Sequence, residues 1–430
     1  MVTFRVTPHP AEATALDGQT QARTLYSVGA EGVAGEAVPV FLGVAMDQSG
    51  SMSGQKLEAA KQALTNLLHQ IPPTDDIVVH ITLFSSAAHE LAPPVTGRQL
   101  GAQLAELTRR IGRIEAGGAT SLGSGLRVAL GASARYANHV RRVLMITDGK
   151  QEGAEPIGDA YDMAKALAQA GLRVDAWGVG NGWEADQLRT IAHSTGGEAD
   201  VIPDARHLGE AVAQLFADVQ STKASDVRLV LNTPKGTTIR SVRQVYPSVQ
   251  ERAARQVSEQ QWVIPIGALG QEEPKFVVEI ATPARNVGIP FRMLVPNVIY
   301  AQGGTDHTDE LDRTAWFFVR WVATPAEVRM DPELSRFTGE EEITSLSQEG
   351  FALLDMGAVE EATAKLNAAL RKAEQINSPQ AAILGAVVNP QTGRLTSTDS
   401  NAAVNKTGKL HTGKTGKLLS GTGKLPPSGP

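Results

Sequence analysis

A chain of 430 residues is long enough for about two to four domains at roughly 100 to 200 residues each, so one function need not fill it. Hydrophobic residues at 42%, charged residues at 20% and a mean hydropathy of −0.14 exclude wholesale disorder. The net charge of −6 is uneven: Arg394, Lys406, Lys409, Lys414, Lys417 and Lys424 against Asp399 give +5 over residues 381–430, leaving −11 for the rest, and an acidic body is a poor nucleic-acid platform.

The first 37 residues form strands that are too few for a domain of their own. From Val38 to about Lys223, short apolar runs alternate with amphipathic stretches, the pattern of a doubly wound, mostly parallel, Rossmann-like α/β sheet. Strands are expected at Val38 to Met46, Ile77 to Phe84, Val140 to Thr147, Leu172 to Val179 and Ala199 to Ile202, each apolar enough to be covered on both faces. Helices are expected at Gln55 to Gln70, which shows Leu57, Ala60, Leu64, Leu67 and Leu68 at helical spacing, at Gly153 to Gly171 and at His207 to Val219.

Between residues 224 and 300 the period changes to two, as in Val227-Arg228-Leu229-Val230-Leu231 and Lys275-Phe276-Val277-Val278-Glu279-Ile280. These runs read as antiparallel strands that join residues 1–37 in a β-sandwich, with the α/β unit of residues 38–223 inserted into it. Over residues 305–378, Leu311, Ala315, Phe318, Val319 and Val322 suggest a helix, followed by a helical hairpin of Ile343 to Met356 and Val359 to Ala373 turned at Gly357. That hairpin resembles one tetratricopeptide unit, and a single unit cannot form a solenoid. Residues 379–430 lose apolar periodicity and repeat Thr-Gly-Lys-Leu at Thr407, Thr415 and Thr422, with Thr-Gly-Arg-Leu at Thr392, so a disordered basic tail is expected.

The sharpest local signal is Asp47-Gln48-Ser49-Gly50-Ser51, between a buried strand and a helix. Loops Gly117 to Leu126 and Thr147-Asp148-Gly149 add a Thr and a second Asp. Together Asp47, Ser49, Ser51, Thr120 and Asp148 resemble the metal-ion-dependent adhesion site of von Willebrand factor type A domains, over roughly Val38 to Lys223. The resemblance implies that Ser49 and Ser51 coordinate directly, Thr120 directly or through water, and Asp47 and Asp148 largely through water. An all-oxygen donor set favours Mg2+, with Mn2+ or Ca2+ as substitutes. The remaining position would then accept a carboxylate from a protein partner. The wider layout looks like a group of bacterial intracellular proteins carrying this domain.

Enzyme signatures are missing. His89-Glu90 runs into Pro93 without completing His-Glu-x-x-His, no Gly-x-Ser-x-Gly occurs, and His139 and His193 stand apart from any catalytic constellation. Gly408-Lys409-Leu410-His411-Thr412-Gly413-Lys414-Thr415 matches the phosphate-binding loop pattern, but it lacks the strand that feeds such a loop and the helix that receives phosphate, so no nucleotide is expected. The repeats place Leu410, Leu418 and Leu425 three residues after Thr407, Thr415 and Thr422. That spacing resembles the phosphothreonine ligands of forkhead-associated domains, which would require a Ser/Thr kinase.

With no run of 18 apolar residues, no basic segment feeding an apolar one after Met1, and no cysteine, the expectation is a cytoplasmic protein without disulfides. The expected function is a non-enzymatic, Mg2+-dependent protein-binding scaffold. Its rivals are a metal-dependent adaptor subunit of an AAA+ ATPase of chelatase or MoxR type, and tethering to nucleic acid or membrane through the basic tail.

Overall fold

The structure, a computed structural model, describes residues 2–31, 38–153, 155–302 and 305–416. Strands β1 (Thr3–His9), β2 (Glu12–Leu16) and β3 (Gln21–Glu31) open the chain. β3 buries every residue from Thr24 to Ala30, which an edge strand could not do, so partners must cover both of its faces.

The inserted unit follows: β4 (Val40–Asp47), α1 (Gln55–Gln70), β5 (Ile77–Phe84), β6 (Ala88–Thr96), α2 (Gly97–Gly112), α3 (Leu122–Ser133), β7 (Val140–Thr147), α4 (Ile157–Gln169), β8 (Leu172–Val179), α5 (Ala185–Ser194), β9 (Ala199–Ile202) and α6 (Leu208–Gln220). Its sheet runs β6-β5-β4-β7-β8-β9, parallel except for antiparallel β6 at one edge. β4 and β5 expose no residue, because Leu64, Leu67 and Leu215 cover one face of the sheet and Leu126, Leu167 and Leu188 the other. The Thr96 side chain caps α2 by accepting from Gln99 N, and the Gln99 side chain returns the bond to Thr96 N.

The chain then re-enters the sandwich through β10 (Ala224–Asn232), β11 (Thr238–Tyr246), β12 (Gln250–Arg252), β13 (Arg255–Ser258), β14 (Gln261–Leu269), β15 (Lys275–Ala281), β16 (Pro290–Gln302), β17 (Thr305–Glu310) and β18 (Phe317–Val322). One sheet is β1-β3-β15-β11-β12; the other is β13-β14-β10-β16-β18-β2, with β17 added to β16. β3 lies antiparallel to β15, with Tyr26 opposite Phe276, and β2 lies parallel to β18, with Thr14 opposite Arg320. The expected pairing across the insertion therefore holds.

The helix expected over Leu311 to Val322 is replaced by strand. Phe317, Val319 and Trp321 are buried while Phe318 and Arg320 between them are partly exposed, a period of two that aromatic and β-branched residues favour. The helical region instead begins at Pro332, where the Asp331 carboxylate accepts from Leu334 N at 2.8 Å. It comprises α7 (Pro332–Asp355), α8 (Val359–Gln375), α9 (Gln380–Val387) and α10 (Ala403–Leu410). Gly357, at φ +79°, makes the α7 to α8 turn, and Phe337 of α7 packs on Leu25 and Val277 of the sandwich.

The disordered tail expected after Asn377 is a second correction: the chain is ordered through Gly416, and most residues of 405–416 are buried. Leu418, Thr422 and Leu425 lie outside the described residues. Among the described residues no helix is long and apolar enough to cross a membrane.

Candidate functional site

The chain leaves β4 toward β5 on one side and returns to β7 on the other, so the strand order reverses between β4 and β7. Open α/β sheets bind ligands in the crevice at such a point, and here Asp47 ends one strand and Asp148 follows the other. Backbone bonds hold the glycine-rich loop over them: Gly117 N donates to Gln48 O at 2.8 Å, Gly50 N to Gly118 O at 3.0 Å and Ser121 N to Ser85 O at 2.8 Å. That loop joins α2 to α3 and so is not a strand end, yet it rests on the ends of β4 and β5. Gly118 is needed there, since it has φ +83° and a Cβ would lie 2.9 Å from Ser86 Oγ.

The five residues singled out by the motif converge. Asp47 Oδ1 accepts from Ser49 N at 2.7 Å and Oδ2 from Thr147 Oγ1 at 2.6 Å. Ser49 Oγ is 3.1 Å from Ser51 Oγ, and Ser51 Oγ donates to Asp148 Oδ1 at 2.7 Å. Thr120 joins them through Gly149, where a Cβ would meet Thr120 Oγ1 at 2.9 Å and Ser51 Oγ at 3.6 Å. Asp47 and Asp148 are both 0% exposed, whereas Ser51 opens to solvent. Burial pushes the Asp47 carboxyl up to about 6, against hydrogen bonds from Thr147 and Ser49, and nearby Asp148 adds to the rise.

Such a floor of buried negative charge suits a hard cation. Among the described residues no three His, Cys, Asp or Glu side chains cluster as a metal group, at this site or any other; the donors here are two carboxylates and three hydroxyls. The motif did not disclose two supporting groups. Thr147 fixes Asp47, and Lys56 in the first turn of α1 pairs with Asp148 Oδ2. Lys56 is legible only by its place, nine residues beyond Asp47 on the helix that the loop initiates.

The threonine repeats lie elsewhere. Thr407 is 5% exposed and Thr415 is 7% exposed, with Thr415 Oγ1 donating to Val245 O at 2.6 Å. Leu410 inserts among Ala185, Leu188 and Ala192 of the inserted unit. A kinase cannot reach either threonine in the folded chain, while Thr392 is exposed in the turn after α9. The repeats instead serve packing. A Cβ at Gly408 would come within 2.6 Å of Val387 Cγ2 and 2.8 Å of Phe351 Cζ, and one at Gly416 within 2.7 Å of Pro247 Cβ. Their lysines find acids: Lys409 bonds Asp186 and Asp355, each at 2.6 Å, and Lys414 pairs with buried Asp200 beside His411. The stretch that matches a phosphate-binding loop is this same packed segment, with Lys414 engaged by Asp200.

Residues 42–214 match the family model for the von Willebrand factor type A domain. Among solved structures, a von Willebrand factor type A protein from Catenulispora acidiphila superposes with a TM-score of 0.84 over 97% of both chains at 22% identity. The ArnB paralog VWA2 from Sulfolobus acidocaldarius gives 0.58 over 97% of this chain and 100% of its own, at 16% identity. An uncharacterised protein of Synechocystis is 26% identical over 218 residues, and the magnesium-chelatase 60 kDa subunit of Cereibacter sphaeroides is 31% identical over 138. These alignments span 50% and 24% of those relatives' lengths. Residues 42–214 of this chain form a von Willebrand factor type A domain.

Proposed function

We propose that the chain is a non-enzymatic protein-binding scaffold whose capture of a partner depends on Mg2+ held by Ser49, Ser51 and Thr120, with Asp47 and Asp148 supplying charge largely through water. A dication bound there would act as a Lewis acid toward a carboxylate offered by the partner. The observation that carries this reading is the continuous chain of contacts from Asp47 through Ser49 and Ser51 to Asp148 at the strand-order switch point, with both carboxylates fully buried. Lys56 supplies one counter-charge, at Asp148, and leaves the second buried carboxylate without a cation of its own. Calorimetry with Mg2+ on wild type and Asp47→Ala tests it. The variant should lose Mg2+ affinity by more than about a hundredfold and keep its circular dichroism spectrum; unchanged affinity would reject the site.

A second reading, an adaptor subunit of an ATP-driven AAA+ complex, is favoured by the 31% identity to a magnesium-chelatase subunit. Co-purification of an ATPase from the native host, lost in Asp47→Ala, would select it. Recognition by a forkhead-associated domain narrows to Thr392, which is exposed with Leu395 three residues on, and to Thr422.

A further inference from the structure

Lys56 occupies a position that the five-residue motif does not explain. It is about one third exposed, rises from the first turn of α1, and bonds Oδ2 of a carboxylate that is wholly buried. Its stem passes the β8 to α5 loop, where a Cβ on Gly180 would lie 3.6 Å from Lys56 Cδ. On the same carboxylate, Oδ1 takes the Ser51 hydroxyl that faces the mouth of the site. One carboxylate therefore joins the candidate metal ligands to a cation that the chain itself supplies.

We propose that Lys56 sets both the metal affinity and the charge preference of this site, an inference that rests on the metal-binding reading above. With only the motif counted, two carboxylates balance a dication and the site is neutral. Lys56 adds one positive charge at the rim. Two consequences share that cause. First, the ammonium competes with the metal for Asp148: if the ion takes Oδ2 directly the lysine must leave, and if it binds through water the lysine remains as a repelling neighbour. Either path lowers metal affinity. Second, a site carrying a metal and a lysine is net positive, so it attracts an anionic group, and the ammonium stands beside the open position to pair with it. The partner is thereby assigned an acidic segment with more than one carboxylate, one for the metal and one for Lys56.

The test uses the full chain, titrated with Mg2+ as wild type, Lys56→Gln and Lys56→Arg. Lys56→Gln should bind Mg2+ about tenfold more tightly, and Lys56→Arg, which keeps the charge, should stay within about twofold of wild type. A short poly-glutamate peptide added at saturating Mg2+ should bind Lys56→Gln at least about fivefold more weakly than wild type. Equal or weaker Mg2+ binding by Lys56→Gln would overturn the inference, as would equal peptide binding by the two proteins. If wild type binds no Mg2+, or if binding survives Asp47→Ala, the metal reading itself fails, and the two failures are thus distinguishable. Should Lys56→Gln prove poorly folded, Lys56→Met removes the same charge and should show the same gain in Mg2+ affinity and loss of peptide binding; equal values to wild type would again overturn the inference.

Discussion

A single methyl group tests the candidate metal centre at residue scale. Gly149 follows Asp148 directly, and a Cβ there would press to 2.9 Å of Thr120 Oγ1, a buried hydroxyl with little room to retreat. Gly149→Ala should therefore push Thr120 out of the donor set, and Mg2+ titration should show affinity down by about tenfold. Thermal unfolding should move little, since Gly149 is not in a left-handed conformation that alanine would strain. A large thermal loss with intact affinity would mean that Gly149 serves the fold and leaves the site alone. That Asp47, Ser49, Ser51, Thr120 and Asp148 lie together was legible from their match to a known motif, and the structure does bring their three loops to one place. Lys56 and Thr147 were not, because their roles depend on which side chains meet Asp148 and Asp47 across the sheet.

At the scale of elements, the parallel strands read correctly because burial on both faces forces a continuous apolar run. β6 escaped notice: Ala88–Thr96 contains two prolines and lies at an exposed edge, so neither alternation nor apolarity marks it. The segment ending in α10 is hard to read from sequence for a different reason. Thr, Gly and Lys look like linker residues, but here the glycines allow close approach and the lysines meet buried acids. Burial alone would raise the Asp200 carboxyl, yet Lys414 and His411 overcome it and hold that carboxyl well below its ordinary value of 3.8, while Asp200 in turn raises Lys414 above 10.5 despite burial. A depressed acid stabilises the fold above its unfolded pKa and loses that contribution as pH falls; a raised base stabilises below its unfolded pKa and loses the contribution as pH rises. The pair should accordingly support the fold fully between about pH 4 and pH 10. Lys414→Met should cost about 3 kcal/mol in urea unfolding at pH 7, because it leaves the buried Asp200 carboxylate with His411 alone beside it. Adding Asp200→Asn should recover part of that loss and remove the pair's share of the acid sensitivity below pH 4. A loss at pH 7 that Asp200→Asn leaves unrelieved would show that the segment is held by packing alone.

Over the whole molecule, the inserted unit is continuous in sequence and has its own helices on both faces of its sheet, whereas each sandwich sheet mixes strands from either side of the insertion. Residues 38–223 expressed alone should fold and bind Mg2+. Asp200 loses both Lys414 and His411 in that fragment, since the two lie outside it. The Asp200→Asn fragment should then melt several degrees above the unmodified one. Equal melting points would mean that water replaces the lost lysine.

The split sandwich also sets a timetable for synthesis. β3 is complete at Glu31, but its neighbour β15 begins only at Lys275, so more than 240 residues must be translated before the sheet can close. At about 5 to 20 residues per second this is a wait on the order of 10 to 50 s. During it Leu25, Tyr26 and Val28 can pair only with β1, without β15 and the later strands that complete their burial, while the inserted unit has already left the ribosome and can fold. The earliest strands made are thus among the last to be sheltered, which marks them as the stretch that a holding chaperone would have to cover.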